Sequence, residues 1–160
     1  MNDTTAISCP AGISDCLPDV GAYFVCLAAY NNGHRHGAWV DLEVATSTEE
    51  IKKCIDWILS TSPVSGAKEW AMHDYAGLPD CLNRSEQPDL ADLASYGKAL
   101  SDLSNSCEWE AFRFYCDDRG EVCSIDDFRS AYQGRWEDPA NFACQLAEER
   151  GLVPEANAWP

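Results

Sequence analysis

The chain has 160 residues with 27 Asp and Glu against 11 Lys and Arg, a formal net charge of −16. That balance excludes direct binding to nucleic acid or an anionic membrane surface, whose phosphates need Lys and Arg to displace counterions, and it points to a basic protein partner. A hydrophobic share of 46%, with six Trp, six Tyr and five Phe, excludes wholesale disorder, and no stretch approaches the roughly 20 apolar residues of a membrane span.

Residues 1–20 mix Asp, Thr, Ser, Gly and Pro without clear periodicity and read as a flexible N-terminal extension. They lack the basic region and apolar run of a secretory signal, so a cytoplasmic location is expected. Residues 23–30 are an apolar, aromatic-rich run that stops at Asn31-Asn32-Gly33, and Asn-Gly is a strong turn signal. Residues 37–42 alternate well enough for a returning strand, which predicts a hairpin. Residues 46–60 read as an amphipathic helix: Ser47 and Glu50 have capping-box spacing, and Ile51, Cys54, Ile55, Ile58 and Leu59 recur at helical intervals. After Pro63 and Gly66, residues 69–75 supply a third strand, so residues 21–80 form a small beta-beta-alpha-beta module.

The remainder is helical in character. Pro88 suits the first turn of a helix whose Leu90, Leu93, Ala94, Leu100 and Leu103 share one side, with Gly97 as a weak point. Residues 108–117 fit a short helix or a strand equally. Ser124 opens another box-like start, with Gly134 placed as a left-handed cap. Asp138 as N-cap, Pro139 at the first helical position and Gly151 beyond the end punctuate a last helix. The fold class is therefore α+β, with an antiparallel three-stranded sheet and one helix at 21–80 followed by mostly helical segments at 81–118 and 119–160.

Nine cysteines, an odd number with no Cys-x-x-Cys, read mostly as small buried hydrophobes. His34, His36 and His73 with a cysteine would be the raw material of a small acidic metal- or thiol-dependent enzyme. Their spacing matches no zinc pattern, and nine cysteines with three histidines make chance pairings inevitable. No Gly-rich phosphate loop occurs. The acids themselves are more telling, because they are scattered as singles and doublets through segments patterned to fold, not massed in a tail. From Asp74 to Asp138 there are 15 acids against six bases. Since duplex DNA carries one negative charge per ~1.7 Å of axis, the charge of the whole chain equals that of roughly 27 Å of duplex.

Four groups of residues in order carry a family resemblance. They are Tyr30-Asn31-Asn32-Gly33 with Gly37, Trp39 and Asp41; Glu69-Trp70 with Asp74-Tyr75 and Leu78-Pro79; Phe128 with Ala131-Tyr132, Gly134 and Trp136; and Phe142-Ala143 with Ala147-Glu148-Glu149. Together they resemble the ArdA family of antirestriction proteins over roughly residues 23–151. The resemblance implies an acidic DNA mimic, carried on a plasmid or other mobile genetic element, that acts in the bacterial cytoplasm. It would bind the DNA groove in the methyltransferase core of type I restriction-modification enzymes and block duplex competitively, with no catalysis, metal or cofactor. It further implies an elongated chain of small modules, a central helical one at 81–118 and a C-terminal one at 119–160 after the first at 21–80, and a homodimer formed through the C-terminal part. The DNA-mimic carboxylates would be Asp74, Asp80, Glu86, Asp89, Asp92, Asp102, Glu108, Glu110, Asp117, Asp118, Glu121, Asp126, Asp127, Glu137, Asp138, Glu148 and Glu149. Phe128, Tyr132 and Trp136 would be dimer interface or core. The alternatives are the metal- or thiol-dependent enzyme and a generic acidic adaptor of another basic protein.

Overall fold

The computed structural model describes residues 7–103 and 105–152; residues 1–6 of the expected extension and 153–160 of the expected last module lie outside them. The described chain falls into two compact units, one ending at Ser130 and the other beginning at Ala131.

The first unit is α+β, built on an antiparallel sheet in the order β1-β3-β2-β4. Strand β2 (Gly21–Cys26) is central, and five of its six residues are buried, which is why it reads as a continuous apolar run. It pairs with β3 (Gly37–Asp41) in a register that sets Tyr23 opposite Trp39, with their rings 5.4 Å apart, and with β4 (Trp70–Ala76) in a register that sets Tyr23 opposite Asp74. The sheet has four strands rather than the expected three. The extra one, β1 (Ile13–Ser14), comes from the segment read as a flexible extension and pairs Ile13 with Val40. Two residues are too few to print an alternating pattern. A neighbouring bond from the Asp41 N–H to the Gly12 carbonyl, 2.8 Å, fixes the segment as well.

A second difference lies at residues 27–33. The apolar run does not continue as strand but turns into α1 (Leu27–Asn31), so Asn32-Gly33 closes a short helix and not a two-residue hairpin. Gly33 takes φ of +78°, and the His34 N–H returns to the Ala29 carbonyl at 3.0 Å. Asn-Gly serves either turn because both need a residue that tolerates positive φ.

Helix α2 (Thr48–Ser60) forms as patterned. Ser47 Oγ accepts from the Glu50 N–H at 3.2 Å, the Glu50 carboxylate accepts from the Ser47 N–H at 3.1 Å, and Ile51, Cys54, Ile55 and Ile58 are buried. It packs on β2, β3 and α3 (Leu90–Ser101). Asp89, not Pro88, opens α3: its carboxylate accepts from the Ala91 N–H at 2.7 Å, and Pro88 sits buried ahead of the cap. Gly97, expected to weaken α3, instead allows it to approach the sheet, since a Cβ there would run into the Leu42 carbonyl.

The ambiguous segment is helix α4 (Ser106–Arg119), started by Asn105, whose side chain accepts from the Glu108 N–H at 3.0 Å, and ended at Gly120. Of its aromatics only Phe112 is buried, with Cys116 one turn on, while Phe114 is exposed. Aromatics spread around the helix leave no single stripe to read. Helix α5 (Ile125–Ala131) is capped by Ser124, whose Oγ accepts from the Asp127 N–H at 3.1 Å. The second unit holds α6 (Pro139–Glu149), with Asp138 accepting from the Asn141 N–H at 2.9 Å.

Gly97→Ala is expected to destabilise the protein by about 1–3 kcal/mol, the usual cost of overpacking, in urea unfolding. An unchanged midpoint would mean that α3 does not lie against Leu42.

Candidate functional site

Of the 17 carboxylates singled out by sequence, 15 are exposed and two, Glu108 and Asp117, are half-buried. Among the described residues no Asp, Glu, Lys or Arg side chain is buried. Much of this acid stands where a helix begins: Asp89 and Asp138 are N-caps, and Asp92, Glu108, Asp126 and Asp127 occupy first turns. Unpaired N–H groups and the positive end of the helix dipole stabilise negative charge there.

The carboxylates divide by what else they hold. Asp74 accepts from the Tyr75 N–H at 2.8 Å, and Asp117 accepts from the Asp80 N–H at 2.5 Å, which ties α4 to the turn at Asp80–Leu82. Asp89 and Asp138 cap their helices, and Glu149 accepts from the Gln145 amide at 2.9 Å. Asp80, Glu86, Asp92, Asp102, Glu110, Asp118, Glu121, Asp126, Asp127, Glu137 and Glu148 are exposed.

Phe128, Tyr132 and Trp136 do not form one cluster within a single unit. Phe128 is buried in the first unit, edge-on to Phe112 at 5.3 Å and to Tyr115 at 5.8 Å. Tyr132 and Trp136 belong to the second unit, where the Trp136 ring meets Phe142 at 5.5 Å and its Nε1–H donates to the Gln133 carbonyl at 2.7 Å. Sequence spacing alone does not separate them, because the division falls at the last residue of α5.

An acidic focus escaped the sequence reading. Asp41 and Asp19 lie near enough to Glu43 at the end of the β2–β3 pair to act on it, and the Glu43 carboxyl is held above its ordinary value by burial first, then by Asp41 and Asp19. The signal was present in the hairpin: Gly21 lies opposite Asp41 and the Leu42 N–H bonds the Val20 carbonyl, so continuing the register brings Asp19 towards Glu43.

The histidines serve other ends. His36 Nε2–H donates to the Ile58 carbonyl at 2.7 Å, the His73 ring meets Tyr30 edge-on at 4.8 Å, and His34 is exposed. Among the described residues no three His, Cys, Asp or Glu side chains come together as a metal site would require. Burial pushes the Cys54 thiol up to about 11 and the Cys116 thiol up to about 12, and it raises Cys81 and Cys123 too. A thiol nucleophile needs the opposite shift. No helix among the described residues is long and apolar enough to cross a membrane.

The ArdA family model, described as antirestriction protein, matches residues 22–159. No curated protein matches the chain.

Because the Glu43 carboxyl is raised in the folded state, folding favours its neutral form. Its contribution is fullest below the ordinary value of 4.5 and is lost as pH rises through the raised value. Glu43→Gln is therefore expected to melt at or above the wild-type temperature at pH 7, with the difference vanishing at pH 4. A variant that melts lower at pH 7 would contradict the placement of these three acids.

Proposed function

Because the chain belongs to the ArdA family of antirestriction proteins, we propose that it is a stoichiometric, non-enzymatic inhibitor of type I restriction-modification enzymes. Its carboxylates occupy the DNA groove of the methyltransferase core where duplex phosphates would lie. The observation that carries this reading is the exposure of 15 of the 17 candidate carboxylates on a folded chain of net charge −16. Lys and Arg side chains that line a DNA groove meet Asp and Glu in place of phosphate, with charge complementarity and steered association. The partner is a basic protein; nucleic acid and membrane are not partners. Two chains joined as a homodimer would double the acidic surface offered to the groove, in the cytoplasm of a bacterium that carries the mobile element. Burial works against a thiol nucleophile at Cys54 and Cys116, and His36 is spent on the Ile58 carbonyl, both of which favour the inhibitor over the enzymatic alternative.

The test is a competition titration of purified protein against labelled duplex on a type I methyltransferase core. Duplex is expected to leave the enzyme near stoichiometric inhibitor; duplex that stays bound refutes the proposal. Neutralising Asp118, Glu121, Asp126 and Glu148 in succession, by Asn or Gln, is expected to weaken inhibition in steps of about 1.5- to 5-fold, the size of single exposed charge pairs. Complete loss from any one of them would indicate a single critical acid instead of a distributed surface.

A further inference from the structure

Helix α4 ends where Gly120, at φ of +72°, turns the chain back over the last helical turn, and the Gly120 N–H bonds the Cys116 carbonyl at 2.8 Å. The turn returns Cys123 to Cys116. The Cys123 N–H donates to Cys116 Sγ at 3.4 Å, and the two thiols are hydrogen-bonded to each other. A disulfide requires two sulfurs that meet without a large movement of the backbone, and this turn already sets them in contact. Cys116 is buried while Cys123 is half-buried, so the pair has one protected sulfur and one that a small molecule can reach.

The surroundings of the pair are acidic. Asp117, Asp118 and Glu121 lie between the two cysteines in sequence, and Asp126 and Asp127 follow shortly after. Burial pushes the Cys116 thiol up to about 12; it also raises Cys123, where the hydrogen bond with Cys116 acts the other way and Glu121, Arg119 and Asp127 have smaller effects. Little thiolate is therefore present at neutral pH, and exchange with another disulfide is slow. The protonated pair also has no stabilised thiolate to give up, so its ionisation does not oppose a bond between the sulfurs. An anionic reagent is repelled by the neighbouring acids, whereas a cationic one is drawn to them.

We infer that Cys116 and Cys123 are a modification site: an intramolecular disulfide forms between them by exchange with a cationic small-molecule disulfide and closes the turn between α4 and α5. The Cys123 thiolate attacks one sulfur of the small disulfide, which gives a mixed disulfide and releases one small thiol. The Cys116 thiolate then attacks the Cys123 sulfur, which forms the protein disulfide and releases the second small thiol. The protein gives up two electrons and two protons, and the two small thiols carry them away. The bond holds the end of α4 to the start of α5 and so fixes the spacing of Asp117, Asp118, Glu121, Asp126 and Asp127, all candidate carboxylates. The site does not depend on which partner the chain binds.

The test treats the full, folded chain with cystamine at about pH 8.5, where thiolate is more abundant, then alkylates the remaining thiols in denaturant and digests with trypsin. Cleavage after Arg113, Arg119 and Arg129 puts Cys116 on the peptide 114–119 and Cys123 on the peptide 120–129. The disulfide is read by mass as these two peptides joined, and that species is expected to be the main product containing either cysteine. Cys123 left as its mixed disulfide with cysteamine, both thiols alkylated, or Cys116 joined to Cys81 instead would overturn the inference. The joined chain is expected to melt about 5 °C above the reduced one, because the bond closes a loop of the unfolded chain. Cys123→Ser treated in the same way takes up cysteamine at the exposed cysteines and is expected to show no such rise. A joined chain that melts no higher than the reduced one would mean that the native turn does not hold the two sulfurs together, and would overturn the inference equally.

Discussion

Tyr96 joins the acidic helices to the sheet. Its ring is buried and stacks on Phe112 at 5.7 Å, Phe112 meets Phe128 edge-on, and the Tyr96 hydroxyl donates to the Gly77 carbonyl at 2.9 Å just past β4. One aromatic line thus connects α3, α4 and α5 with the end of the sheet, and the hydroxyl is buried without being left unpaired. Mutual repulsion among the surplus carboxylates opposes compaction. Truncating one buried aromatic ring commonly costs about 3–5 kcal/mol, against a total stability of about 5–15 kcal/mol for a whole domain. The uncharged interior is therefore what permits the surface to remain so acidic.

Local structure reduces that repulsion further. Asp89 and Asp138 satisfy the N–H groups at the starts of α3 and α6, Glu50 completes the capping box of α2, and acids fill the first turns of α4 and α5. The same side chains that raise the net charge thus stabilise the helices that carry them. Cations are few and placed for structure as well: Arg129 donates to the Asp102 carbonyl at 2.7 Å, and Arg119 lies over the Tyr115 ring.

Elements with a complete local signature were legible in the sequence. The stripe of α2 and its Ser47–Glu50 box, the Asp138–Pro139 start of α6, and the three longer strands each announce themselves within a dozen residues. Where a choice depends on distant partners, the sequence is silent or ambiguous. Strand β1 exists because Val40 and Trp39 offer it an edge, Gly97 is read correctly only once Leu42 is seen beneath it, and α4 lacks a stripe because its aromatics point several ways. The surface shows the same division. Exposure of the later acids followed from their scatter, but the influence of Asp19 and Asp41 on Glu43 depends on strand register.

The central claim is that many exposed carboxylates, none of them catalytic, form the binding surface of an antirestriction protein. Binding by opposed surface charge must be screened by salt, whereas an apolar interface or a covalent mechanism need not be. The most direct measurement is the dissociation constant for the methyltransferase core without DNA, followed from ~50 mM to ~200 mM salt, the range over which phosphate-binding grooves lose affinity steeply for duplex. The account predicts a steep, continuous weakening across that range. An affinity that stays flat would contradict it.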